Sequence, residues 1–244
     1  MHKLQPNLDP TLYKIDGADT HSDVRSYKQE VSTEQLLKEF NAFERIDLKN
    51  SVHKQELQQM FPSWLIEDTT QTDLELLCKI GRYDKNKQTF VVGIFENRGL
   101  ETVLISYKHR RVGDAKWYSR AGTHPNHLPL MRLRDESEVL YIIEGHHDML
   151  TAILLGIDFI MLPTAGFKLS HYPQLVQMVR ERDVLFLVED ERAHRCMSAL
   201  AVAFAEHATS IRLRLMGDGV SKLDLSDYVE TCKSIKEVKD GLQN

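Results

Sequence analysis

Residues 139–156 read VLYIIEGHHDMLTAILLG and residues 184–201 read VLFLVEDERAHRCMSALA. In each, five apolar residues in a row end on an acid, and the chain then enters a segment of helical character. An unbroken apolar run of this length marks a strand buried on both faces, because neither face alternates with polar residues. The first stretch continues as a helix over Asp148–Leu155 that stops at Gly156, the second as an alanine-rich helix over Ala193–His207. Asp158–Leu162 and Ile211–Leu215 read as two further strands, and Tyr172–Arg182 as the helix between the second and third. Strand and helix thus alternate from Val139 onward, which predicts an α/β fold with a mostly parallel sheet covered by helices on both faces.

The acids fall where such a sheet collects its ligands. Glu144 follows the first strand directly and Glu189-Asp190-Glu191 follows the third. Parallel strands bring their carboxyl ends to one rim, and the crevice outside that rim is the binding site of open α/β sheets. Glu144, Glu189 and Glu191 therefore converge although 45 residues separate the first two. Asp148 lies one helical turn after Glu144 and can face the same space. Crowded carboxylates repel one another unless a cation lies among them, and hard oxygen ligands suit Mg²⁺ or Mn²⁺. Single acids at helix N-termini also complement the helix dipole without a metal; the placement of the whole set favours the cation.

These motifs resemble those of the TOPRIM module shared by bacterial and phage primases, type IA topoisomerases and several nucleases. That module carries E-G-x-x-D after one strand and D-x-D-x-A-G after a later one. The chain has Glu144-Gly145-His146-His147-Asp148 at the first and Glu189-Asp190-Glu191-Arg192-Ala193-His194-Arg195 at the second, similar to a primase run that enters an alanine-rich helix. Lys222-Leu223-Asp224-Leu225-Ser226-Asp227-Tyr228 resembles a later K-D-x-D-E-Y element, and Pro163-Thr164-Ala165-Gly166 occupies the loop after the second strand. The resemblance covers roughly ninety residues and implies metal ligation by Glu144, Asp148, Glu189, Glu191 and Asp224, with Glu144, Glu189 and Glu191 catalytic. Two departures stand out: glutamates replace both aspartates of the second motif, and His194 replaces its glycine.

Upstream, the pattern changes. Ser32-Thr33-Glu34-Gln35 reads as a capping box opening a helix, with further helices over Val52–Met60 and Thr72–Lys79. Thr89–Phe95 and Glu101–Lys108 form a hairpin by composition, with Asn97-Arg98-Gly99 between them. From Leu104 to Arg134 there are seven Lys or Arg against one acid, Asp114, interleaved with Tyr107, Trp117 and Tyr118. Basic groups neutralise phosphates and aromatic faces stack on unpaired bases; the aromatics also suit the core of a small sheet. Ser106-Tyr107-Lys108-His109-Arg110 followed by Lys116-Trp117-Tyr118 is similar to a K-x-R arrangement that precedes TOPRIM in helicase-linked phage primases. Lys108 and Arg110 are then expected at the template or an incoming triphosphate, with Arg111, Lys116, Trp117, Arg120 and Arg192 as further nucleic-acid or nucleotide contacts.

The expected organisation is a polar arm over 1–31, an α+β basic subdomain over 32–135, the TOPRIM-like domain over 136–230 and a terminal helix over 231–244. A net charge of −5 over 244 residues excludes a general polycation, so positive charge must act locally. Cys78, Cys196 and Cys232 form no CxxC pair, which argues against a zinc ribbon or a disulfide framework; Cys196 reads as a core residue. His124, His127, His146 and His147 have no cysteines beside them to make a zinc site. The longest apolar stretch, around Met149–Leu162, is interrupted by Gly156 and Asp158, and neither a bilayer span nor a signal peptide is expected. The expected setting is cytoplasmic DNA replication in a phage or mobile-element context, without a membrane. The resemblance implies primer synthesis from nucleoside triphosphates on single-stranded DNA. Because no GxxxxGK[ST] loop is present, a helicase or other replication protein would act from a separate chain. A nuclease using His146 or His147 as general base, and a non-catalytic replication module, are the alternatives.

Overall fold

A computed structural model describes residues 31–98, 101–110, 116–123, 129–134, 139–164, 167–217 and 223–243. Two five-stranded sheets carry the fold, which is mixed α/β. The first contains β1 (Glu44–Arg45), β2 (Gly81–Asp84), β3 (Thr89–Arg98), β4 (Glu101–Arg110) and β5 (Trp117–Ser119), in that order and wholly antiparallel. Around it lie α1 (Thr33–Ala42), α2 (Ser51–Met60), α3 (Ser63–Asp68) and α4 (Gln71–Ile80). Ser32 caps α1 by accepting the Gln35 N–H, while the Gln35 amide reaches forward to Glu39. Tyr107 is buried and donates to Glu39, so of the interleaved aromatics this one belongs to the core.

The second sheet has the order β10–β9–β7–β8–β6, from β6 (Leu130–Arg132), β7 (Val139–Glu144), β8 (Asp158–Leu162), β9 (Asp183–Val188) and β10 (Ser210–Leu215). β10–β9, β9–β7 and β7–β8 pair parallel, and β6 joins β8 antiparallel. This sheet therefore draws on residues upstream of 136. Its apolar runs are explained by the two faces of each strand. Tyr141, Ile143, Leu185 and Leu187 pack in a core shared with α5 (His146–Leu155) and the N-terminal sheet. Leu140, Ile142, Phe186 and Val188 alternate with them into a second core, filled by Met197, Leu200 and Phe204 of α7 (Glu191–Phe204). Period-two alternation sends successive side chains to opposite faces, and here both faces are dry.

Two expectations are corrected. The helix expected over Tyr172–Arg182 is only α6 (Leu175–Met178), preceded by a single 3₁₀ turn at Leu169–His171. Glu181 takes a φ of +59°, and Arg182 then turns back to Asp158 Oδ2 at 2.9 Å and to the Arg134 carbonyl at 2.9 Å, which ends the helical path. Cys196 is exposed, not core: the inward spacing along α7 is Ala193, Met197, Leu200, Ala201 and Phe204. The chain finishes with α8 (Leu225–Glu230) and α9 (Ile235–Gln243).

A buried ion pair fastens α4 to β6, where Arg132 Nη2 bonds Asp73 Oδ1. Beside it the Thr69 hydroxyl donates to the Leu154 carbonyl at 3.0 Å. Gly156 ends α5 at φ +60°, and a Cβ there would lie 2.7 Å from Asp73 Oδ2.

Candidate metal and phosphate site

Sheet register sets the acidic rim. Ile142 lies opposite Phe186 in the parallel pair, so Glu144 closes β7 about level with Val188, and Glu189 follows one residue later. The chain leaves β7 through Gly145 at φ +87°, a conformation open to glycine and strained for other residues. Past β9 the three consecutive acids divide. Asp190 caps α7 by accepting the Ala193 N–H at 2.7 Å. Glu189 is 8% exposed, whereas Glu191 is exposed on the first turn of α7.

Oxygens of Asp148, Glu189 and Asp224 lie within 4.8 Å of one another. Asp148 is held from 77 residues away: the first turn of α8 donates Leu225 N–H at 3.3 Å and Ser226 N–H at 3.0 Å to its carboxylate. Asp224 is the N-cap of α8 and forms a reciprocal capping box with Asp227. Burial, and then the charge of Asp224, hold the Asp148 carboxyl well above the usual carboxylate range, against the pull of the two N–H donors. Three acids that close, one of them buried and disfavoured as an anion, form an oxygen set suited to a hard divalent cation. The chemistry of these donors fits Mg²⁺ or Mn²⁺.

The acids border a cavity of about 400 Å³, together with Glu144 and Asp227. Arg110, Trp117, His146 and His147 line the same space. Four of the five expected ligands (Glu144, Asp148, Glu189, Asp224) therefore meet there, while Glu191 is not among the lining residues. His147 Nε2 lies 3.1 Å from the Met60 carbonyl and its Nδ1 3.5 Å from the Ser226 hydroxyl, and burial lowers its pKa. Arg110 Nη1 lies 3.7 Å from Glu56 Oε1, with both side chains largely buried. The sequence reading missed Glu56. An acid in a polar helix gives no sign that it will sit under an arginine 54 positions away.

The other expected phosphate contacts are dispersed. Lys108 Nζ lies 3.3 Å from His146 Nδ1, and burial lowers its pKa to about 8. Arg120 makes a two-pronged contact with Glu39, at 2.9 Å through Nε and 2.8 Å through Nη2. Lys116 and Arg192 are exposed, the latter on α7. Arg111, His124, His127, Ala165, Gly166 and Lys222 lie outside the described residues. A second cavity, of about 580 Å³, is lined by Arg110 as well as Lys87, His109, Tyr118 and Arg120. Among the described residues, no helix is long and apolar enough to cross a membrane.

The fold is that of bacterial primase catalytic cores. The zinc-binding and RNA polymerase domains of the Aquifex aeolicus primase align over 88% of this chain with a TM-score of 0.57 at 12% identity. A DnaG catalytic core aligns over 86% of the chain with a TM-score of 0.53 at 16% identity. The chain spans 62% of the Aquifex structure and 78% of the DnaG core. No protein-family model matches the chain, and no curated protein matches it.

Proposed function

We propose that the protein is a primase-like nucleotidyltransferase that builds short RNA on a single-stranded DNA template from nucleoside triphosphates. The observation that carries this reading is the meeting of Asp148, Glu189 and Asp224 in a cavity also lined by Arg110 and Trp117, within a primase-core fold. Asp148, Glu189 and Asp224 would hold Mg²⁺ or Mn²⁺, with Glu144 bordering the same space. When bound, that cation supplies charge neutralisation for a 3′-hydroxyl attacking the α-phosphate of the next nucleotide. The chain's own residues orient the partners. Arg110 stays charged beside Glu56 and presents its guanidinium to phosphate. Trp117 offers an indole face to a base. Arg110 also lines a second cavity with Lys87, His109 and Tyr118, whose cationic and aromatic side chains suit a nucleic-acid strand. A helicase or other replication protein on a separate chain would load the template.

The nuclease alternative needs a histidine free to take a proton from water. Both ring nitrogens of His147 have neighbours in Met60 and Ser226, and His146 Nδ1 accepts from Lys108, which leaves its ring proton on Nε2, a nitrogen that can donate but not take a proton from water. The polymerase reading is favoured for that reason.

Purified protein with single-stranded DNA, labelled ribonucleotides and Mg²⁺ or Mn²⁺ should yield short labelled products. Glu189→Gln/Asp224→Asn should lower the yield by about a hundredfold or more, since metal sites lose that much even when only their supporting residues change. Template cleavage without nucleotides, lost in the double variant, would assign a nuclease instead. An intact template without products would overturn the polymerase.

A further inference from the structure

Among the described residues, three that line the acidic cavity each carry a buried nitrogen donor without a hydrogen-bond partner: Arg110 Nε, Trp117 Nε1 and His146 Nε2. Buried donors are nearly always paired, because leaving one unpaired forfeits its bond to water. Three such residues lining one cavity point to an acceptor that arrives from outside. His146 is the most enclosed of the three residues, at 6% exposure, and its ring is fixed from behind by the Lys108 ammonium. An ammonium has only protons to give. Nδ1 must therefore accept, and the single imidazole proton resides on Nε2.

We propose that Lys108 is a positioning residue that acts through His146, and that His146, held as the Nε2–H tautomer, donates to a phosphate oxygen in the acidic cavity alongside Arg110 and Trp117. This deepens the nucleotidyltransferase reading and shifts Lys108 from direct phosphate contact to support. The division suits the chemistry of the space. A neutral donor bonds a phosphate oxygen without pairing with the carboxylates, whereas an ammonium projecting among them would compete with the cation they are arranged to hold. The ligand class is a phosphate oxygen, carried either by a free nucleotide or by a nucleic-acid strand.

The test reads the ring directly. In full-length protein labelled with ¹⁵N-histidine, the His146 signals are assigned by their absence in His146→Gln. The resting protein should show Nε2 as the protonated, pyrrole-type nitrogen and Nδ1 as the pyridine-type one. Lys108→Met should release the ring into exchange between both tautomers. Adding Mg²⁺–ATP in one arm and a single-stranded oligodeoxynucleotide in another should shift the Nε2–H signal in the arm that supplies the phosphate. Affinity for that ligand should fall roughly tenfold in His146→Leu, the worth of a hydrogen bond to a charged group, and return to within about threefold in His146→Gln, which keeps a neutral donor. An Nδ1–H tautomer in the resting protein overturns the proposal without any variant having to fold. So does an Nε2–H signal indifferent to both ligands, or full affinity in a folded His146→Leu. Because neither readout requires product formation, the proposal and the polymerase reading fail separately: a shifted signal with no primer made would sink only the second.

Discussion

Adjacent acids with different neighbours should behave differently when changed. Glu189→Gln should abolish Mg²⁺ binding measured by calorimetry, whereas Glu191→Gln, at an exposed site outside the cavity lining, should leave it within about twofold. The Glu-Asp-Glu run stood out because it follows an apolar strand, and the sequence assigned Glu191 to the candidate site and Asp190 to nothing. What separates them is the direction each side chain leaves the turn, which depends on Asp190 bonding back to the Ala193 N–H. Glu39 supplies a pH prediction. The Arg120 guanidinium lowers its carboxyl to about 2 against the opposing cost of burial, with further help from Tyr107 and Gln35. Since its folded value lies below its unfolded one, Glu39 stabilises the protein fully above about pH 4.5, and that contribution disappears as pH falls toward 2. Wild-type Tm should therefore drop more steeply than that of Glu39→Gln between pH 5 and pH 3 in scanning calorimetry.

Elements are where the sequence was read best and also where it misled. β7, β8 and β9 were found to within a residue or two because strands buried on both faces leave an uninterrupted apolar signature; β10 is half-exposed, with Ile211, Leu213 and Leu215 alternating with arginines. α6 was overextended because Tyr172–Arg182 has no breaker after Pro173; what stops it is Arg182 reaching back to Asp158 and the Arg134 carbonyl, contacts distant in sequence. β1, β2 and α3 went unread, being short and nearly without pattern. Cys196 was misplaced although the information was present, since Ala193, Met197, Leu200 and Phe204 already define an inward stripe that leaves it out. The end of α5 is under two constraints at once. Gly156→Ala forces a left-handed φ on a residue with a Cβ and brings that Cβ against the Asp73 carboxylate. A loss of about 2–4 kcal/mol is expected, read as a Tm lowered by roughly 4–16 °C.

At the scale of the molecule, the two sheets share one core and are fastened by Asp73 and Arg132. Neither residue stood out in the sequence, because an aspartate in a helix and an arginine in a basic stretch look like surface charge. Arg132→Met leaves Asp73 buried without its partner and should cost about 3–5 kcal/mol in urea denaturation. Replacing both, as Asp73→Leu/Arg132→Met, should cost clearly less than the sum of the single changes, since no orphaned charge remains. That the acids would share a cavity with Arg110 and Trp117 was legible only in part. The packing that brings His147 onto the Met60 carbonyl was not.

The bonds from α8 to Asp148 also impose an order on biosynthesis. A growing chain can complete the N-terminal sheet and the strands through β10 while its carboxylate at position 148 still lacks both backbone donors. Those donors emerge from the ribosome only after residue 226 has been added, and the carboxylate of Asp224 arrives with them. The acid cluster is therefore assembled only once α8 has been made, however much of the chain has folded upstream of it.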